Sequence, residues 1–230
     1  MTDTVRLVAL SAGLSTPSST RMLADQLSRT AAAALGRDGA EVEVTTVELR
    51  EHAHDITDAL LTRFPGERLS MVIESVRAAD AVIAVTPVFN LGPSGLFKTF
   101  FDAIDIEVWN DKPVLLGATA GTARHSLAID YAIRPLFGYL KAQVVPTAVF
   151  AASADLGADT EGQADEQPLA VRVRRAASEL ATMLRAGSGA TAAPSETSEG
   201  PADGAFAGAT STVDAEFSDF VPMGKLLGRG

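Results

Sequence analysis

The sequence predicts an α/β fold in which a five-stranded, mostly parallel sheet carries helices on both faces. Three observations lead there. Five short apolar runs are each followed by residues at helical spacing. Each intervening stretch is long enough for the crossover that parallel neighbours require. The 230 residues, 47% of them hydrophobic, suffice for one core of ordinary domain size.

The elements follow in order. VRLVAL (Val5–Leu10) is a short apolar run without helical spacing and reads as a buried strand. Pro17 and three hydroxyl residues introduce a helix, STRMLADQLSRTAAAALG, with Met22, Leu23, Leu27 and Ala31 at helical spacing and Gly36 as its stop. EVEVTTVEL alternates apolar and polar residues and reads as a second strand near an edge. RLSMVIESVRAAD is helical, and His52 and His54 fall in the polar connection before it, as surface residues. AVIAVTPVF is a buried strand that ends at Pro87. SGLFKTFFDAI is a helix whose apolar face is Leu96, Phe97, Phe100, Phe101 and Ile104, with Lys98 reaching to solvent. KPVLLGATAG is a fourth strand with a glycine loop. SLAIDYAIRPLFGYL is a helix apolar on nearly every side, which demands cover by the core or by another subunit. QVVPTAVFAA is a fifth strand split by Pro146, and QPLAVRVRRAASELATMLRAG closes the domain as an amphipathic helix.

The folded domain is therefore expected over residues 1–186. Residues 187–213 are rich in Gly, Ala, Ser, Thr, Pro and acids, with no Lys or Arg. Such a segment cannot bury enough surface to offset its ordering entropy, so a disordered linker is expected. Residues 214–230 carry Phe217, Phe220, Val221, Met223, Leu226 and Leu227, and read as an apolar C-terminal peptide: a docking segment, or a plain tail.

Composition narrows the chemistry. A net charge of -10 argues against nucleic acid and anionic membrane surfaces as partners. The absence of cysteine removes disulfides, thiolate metal sites and cysteine nucleophiles. With three histidines, a histidine-built metal site is not expected either. No apolar run approaches the roughly 20 residues of a membrane span, and the N-terminal apolar stretch is too short for a signal peptide. A cytoplasmic protein with no bound metal is the expectation.

Sheets of this kind bind ligands outside the carboxyl ends of their strands. Three segments leave such ends with unusual composition, 11–20, 86–95 and 117–125, and would meet at one edge. The first, SAGLSTPSST, holds Ser11, Ser15, Thr16, Ser18, Ser19 and Thr20, with no cation before Arg21. Unpaired N–H groups at a helix start bind phosphate without a cationic side chain. Ser11, Ser15, Ser18, Ser19 and Thr20 would add O–H donors, and Gly13 would let the chain turn closely. Neither the Walker A nor the G-x-G-x-x-G fingerprint is present. A helix cap is the plainer reading, but one cap needs one hydroxyl. In the second segment, Asn90, Gly92, Pro93 and Gly95 suggest irregular backbone able to meet a flat heteroaromatic ring, with Phe89 as an apolar wall or as a core residue. The third, GATAGTARH, is small enough to pass close under the same ring.

TPVFNLGPSGLFKTFFDAID and ATAGTARHSLAIDYAIRPLFGYL, together with the serine loop, resemble the NADPH-dependent FMN reductases of the flavodoxin-like superfamily over residues 4–185. The likeness is strongest to the branch that supplies reduced flavin to luciferase-like and alkanesulfonate-type monooxygenases. Phe89 replaces the usual tyrosine, and Gly92 stands where many members have serine. The resemblance implies FMN as cofactor and NADPH, or NADH, as reductant. It implies that Ser11, Ser18, Ser19 and Thr20 hold the FMN phosphate. Pro87, Val88, Phe89 and Asn90 would line the isoalloxazine, with Gly92 and Gly95 on the same segment. Thr119, Ala120 and Gly121 would border the other edge. His125 and Arg124 would meet the NADPH phosphate or the pyrimidine edge, or else cap the next helix. A homodimer or homotetramer is implied, with Tyr131 at the contact. No catalytic side chain is assigned, because hydride transfer between nicotinamide and flavin needs none. Reduced FMN would leave for a monooxygenase partner. Two alternatives stand beside this: a quinone or azo reductase that keeps FMN tightly, and a non-catalytic FMN-binding electron carrier.

Overall fold

The computed structural model describes residues 4–37, 39–156 and 168–189. Strands β1 (Thr4–Ser11), β2 (Glu41–Glu48), β3 (Ala81–Phe89) and β5 (Pro113–Ala120) form the body of one parallel sheet, with β2 at its edge beside β1, then β3 and β5. Two short strands share the fifth position. β6 (Gln143–Val144) pairs with the start of β5 and β7 (Val149–Ala152) with its end, both parallel. Pro146, which has no N–H to give a ladder, lies in the break between them. The expected five-stranded parallel, flavodoxin-like sheet is thus present, with one addition. β4 (Gly92–Pro93) folds back antiparallel on the end of β3.

Alternation along the strands divides the core between two faces. Leu7, Ala9, Ile83, Val85 and Leu115 pack with α1 (Ser19–Gly36) and α6 (Leu169–Gly189). Val8, Leu10, Val82, Ala84, Val114 and Leu116 pack on the other side. There lie α2 (Ala53–Thr62), α3 (Glu67–Ala78), α4 (Gly95–Ala103) and α5 (Arg134–Tyr139). On that face an aromatic cluster anchors α4: the Phe101 ring lies 4.6 Å from those of Phe97 and Trp109 and 4.9 Å from that of Phe137. β2 is mostly solvent-exposed, as its alternating sequence predicts for an edge.

Four local expectations need correction. The polar connection after β2 contains α2, whose only fully buried residues are Ile56 and Ala59, so its helical periodicity is faint. His52 is half-buried, its Nδ1 3.8 Å from an Asp55 carboxylate oxygen, whereas His54 is exposed. Met22 points outward from α1. The helix expected over 126–140 is broken: a π-helical turn, Ile129–Ile133, precedes the short α5, where Pro135 sits in the first turn. At the C-terminal end α6 runs through Gly189. The rest of the expected linker, and the apolar peptide 214–230, lie outside the described residues.

The break in the fifth strand position is held from α6. Glu179 accepts hydrogen bonds from the Thr147 amide at 2.7 Å and hydroxyl at 2.8 Å, and pairs with Arg175 at 3.0 Å. Burial pushes the Glu179 carboxyl up, but the bonds from Thr147 and Arg175 outweigh it and hold the group below its ordinary value of 4.5. A lowered native value means stabilisation that is complete above the ordinary value and is lost as pH falls through the native one. Acid titration of stability should therefore be shallower in Glu179→Gln than in the wild type, measured by urea midpoints across the acid range; identical pH profiles would remove Glu179 from this role.

Candidate functional site

Ser11 ends β1, which lies between β2 and β3, and the next residue stays tied to β3 through Ala12 N–H donating to Val85 O at 2.9 Å. The chain then turns out and returns as α1. Ser18 is the N-cap, its Oγ accepting from the Arg21 amide at 3.2 Å. The helix ladder leaves the amides of Ser19 and Thr20 without partners four residues back. The Ser11 hydroxyl is fully buried and has no protein partner. A Cβ added to Gly13 would fall 2.0 Å from the Ser18 Oγ, so bare backbone at Gly13 makes the space in which that hydroxyl sits. Gly13 is glycine for this contact.

Among the described residues, the arginines near this helix start are paired with carboxylates. The Arg21 guanidinium is turned to Asp25 at 2.8 Å and Glu48 at 2.7 Å, and Arg50 to Glu48 at 2.8 Å. What remains is a set of uncharged donors at the positive end of a helix. That set suits an anion rich in acceptor oxygens, such as a phosphate monoester. The orphaned Ser11 hydroxyl fits such a group. Of the other hydroxyls, Ser15, Thr16 and Ser19 are exposed, while Thr20 is buried and its Oγ1 lies 2.8 Å from Thr119 Oγ1. Thr20 thus joins the first segment to the third.

The second segment is more regular than expected. Thr86, Pro87, Val88 and Phe89 remain in β3, and Gly92 is in β4, with Val88 opposite Pro93 and Phe89 opposite Gly92. Asn90 and Leu91, at φ 51° and 65°, close this two-residue hairpin as a mirror-image turn. Gly95 is the first residue of α4. The hairpin is pinned from inside by two residues the sequence reading passed over. Thr86 Oγ1 accepts from the Ser94 amide at 3.0 Å and donates to Pro87 O at 2.9 Å. Ser94 Oγ caps α4, accepting from the Phe97 amide at 3.2 Å. A serine directly before a helical run is an N-cap signal that could have singled out Ser94. Phe89 is 48% exposed and Leu91 67% exposed, so Phe89 belongs to the rim and not to the core.

Thr119 and Ala120 end β5, and Thr119 stands opposite Pro87 in the parallel register. Gly117 is inside β5 and not in the loop; a Cβ there would meet Val85 and Leu27 at 3.1 Å. Gly121 and Thr122 turn the chain, and Ala123–His125 form a 3-10 turn. His125 is half-buried, its Nδ1 enclosed without a protein partner, and Arg124 is exposed. The fold therefore brings Ser11, Gly13, Ser18, Pro87, Val88, Phe89, Thr119 and Ala120 to one edge of the sheet, as the convergence argument expects. Among the described residues no cluster of three or more metal-ligating side chains occurs, and no helix is long and apolar enough to cross a membrane.

Comparison with known proteins shows what the chain as a whole is similar to. The family described as NADPH-dependent FMN reductase matches residues 5–157. An FMN reductase (NADPH) of Pseudomonas aeruginosa is 33% identical over 184 residues, 80% of this chain and 95% of that protein. The NADH-dependent FMN reductase SfnF of Pseudomonas fluorescens is also 33% identical, over 80% of this chain and 94% of its own. Among solved structures, an oxidoreductase from Corynebacterium diphtheriae is 42% identical, with a TM-score of 0.74, over 80% of this chain and 98% of that one.

If Gly13 makes room for the cap, Gly13→Ala must drive the Ser18 hydroxyl from it. Urea denaturation should show a loss of about 1 kcal/mol, the usual size of a lost N-cap, together with weaker FMN binding by fluorescence quenching. Unchanged stability and unchanged affinity would mean that Gly13 does not make room for the Ser18 cap.

Proposed function

The chain belongs to the NADPH-dependent FMN reductase family, and from that membership we propose an NAD(P)H-dependent FMN reductase that releases its reduced flavin to a two-component monooxygenase. The observation that carries the placement of FMN is the buried Ser11 hydroxyl without a protein partner at the end of β1, together with the free amides at the start of α1. Ser11, Gly13, Ser18, Ser19 and Thr20 would hold a phosphate monoester, which supplies the acceptors that the Ser11 hydroxyl and the first helix amides lack. Pro87, Val88, Phe89 and Asn90 would line the isoalloxazine, with Gly92 of the hairpin and Gly95 at the start of α4 on the same segment, Thr119, Ala120 and Gly121 bordering its other edge and His125 near its rim.

When bound, FMN supplies the hydride-accepting chemistry itself. The protein's part is to orient and to shield. The pinned hairpin presents backbone amides and carbonyls at a fixed position because Thr86 and Ser94 hold it from below. Phe89 and Leu91 offer apolar surface that keeps water from one side of a ring placed there. Binding without a cation limits the electrostatic contribution to affinity, which favours a flavin that exchanges over one that stays. Relatives named for NADPH and for NADH both occur, so either reductant is compatible with the family. Tyr131, 79% exposed on the π-helical turn, with Leu127 and Tyr139 also exposed, supports a homodimer or homotetramer contact there. A cytoplasmic location is part of the same reading.

Purified protein with NADPH or NADH should show pyridine-nucleotide oxidation that depends on added FMN, and should be colourless after dialysis. A protein that stays yellow and reduces quinones would favour the tight-binding quinone or azo reductase, and no turnover with any flavin would reject the reaction. The phosphate assignment has its own test in Ser18→Asp. Aspartate caps helices as well as serine does, so the fold is kept while a negative charge is set beside the phosphate. The KM for FMN should rise by about tenfold or more, the size of a like-charge contact at low effective screening, with turnover of riboflavin unchanged. An equal effect on both flavins would place the phosphate elsewhere.

A further inference from the structure

Residues 14–17 are the exposed part of the phosphate segment: Leu14, Ser15, Thr16 and Pro17 are all exposed. Among the described residues its side-chain tether comes from one place. Arg50, in the 3-10 turn just beyond β2, donates Nη1 to the Ser15 carbonyl at 3.2 Å and to the Thr16 hydroxyl. Its Nε is paired with one Glu48 carboxylate oxygen at 2.8 Å. The other oxygen of the same carboxylate receives Arg21 at 2.7 Å, from the first turn of α1. Glu48, largely buried, ends β2 directly opposite Ser11 in the parallel register. One carboxylate therefore braces both arms of the segment: the outgoing arm through Arg50, the returning helix through Arg21.

We propose that Arg50 is a positioning residue for the phosphate-binding segment, held in place by Glu48 and fixing residues 15 and 16 so that the segment is preformed before the phosphate arrives. The inference rests on the reading that this segment takes the FMN phosphate. Arg50 acts through the backbone of Ser15 and the hydroxyl of Thr16 and needs no contact with the ligand. Its fork geometry is required, because one guanidinium must meet a carboxylate and a peptide segment at once, and a lysine ammonium offers only a point of charge. A segment already ordered loses less freedom on binding, and affinity gains by that amount. The gain applies only to a ligand that uses the segment, so FMN should feel it and riboflavin should not.

The test compares dissociation constants for FMN and riboflavin in the full-length wild type, Arg50→Met and Arg50→Lys, at low salt and at about 1 M salt, where the screening length is about 3 Å. Preference for FMN over riboflavin should be present in the wild type. It should fall by about tenfold in both variants, the scale of losing hydrogen bonds to a charged group, with riboflavin affinity unchanged, and the loss should persist at high salt. Should Arg50→Met fail to fold, Arg50→Lys alone decides. A wild type that prefers FMN alongside variants that prefer it equally would overturn the role of Arg50 and leave the phosphate reading intact. A loss that vanishes in high salt, or full preference in Arg50→Lys, would show a long-range charge effect and overturn positioning. A wild type that binds riboflavin as tightly as FMN would overturn the phosphate reading, and this inference with it.

Discussion

Helix α1 follows β1 with its first amides unbonded, and the Ser18 hydroxyl satisfies one of them, that of Arg21. The concentration of positive potential that results is fixed in position by strand and helix together. β1 is held on both sides, by β2 and β3, and α1 is packed against the sheet through Leu23, Ala24, Leu27 and Ala31. Backbone and hydroxyl groups carried on such elements have little freedom to rearrange. An anion that binds them is met by donors already in place. The nearby arginines are engaged with Asp25 and Glu48, so selectivity comes from the count and direction of hydrogen bonds more than from net charge.

The same constraint explains how three separate stretches of chain act as one edge. Parallel register sets Pro87 opposite Thr119. The buried Thr20–Thr119 hydroxyl contact of 2.8 Å fastens the start of α1 to the end of β5. Thr86 and Ser94 fasten the β3–β4 hairpin to α4, and α4 is anchored in the aromatic cluster of the opposite face. Under the proposed assignment, a phosphate seat and a ring platform built this way would keep their separation, which a two-ended ligand such as a flavin nucleotide requires.

Much of this was legible in the sequence because the signals were local. β1, β3 and β5 are short apolar runs, α1 is bounded by hydroxyls and Gly36, and α4 shows Phe97, Phe100 and Phe101 on one side. Less legible elements depend on contacts between distant residues or on few buried positions. α2 buries only Ile56 and Ala59 and so leaves almost no periodic trace. The hairpin at Asn90 and Leu91 contains no glycine at its positive-φ positions, so it lacks the usual turn signal. The π-helical turn at 129–133 inserts a residue into a pattern that reads as an ordinary helix. Glu48 and Arg50 belong to no motif; their role appears only when β2 is set beside Ser11.

The account turns on uncharged groups at the start of α1 receiving the phosphate of FMN. A crystal structure of the protein soaked with FMN tests this most directly. The prediction is phosphate oxygens within hydrogen-bond distance of the Ser11 and Ser18 hydroxyls and of the Ser19 and Thr20 amides, with Arg21 and Arg50 still turned to Glu48. A phosphate bound instead by either arginine, or lying away from the first turn of α1, would contradict it.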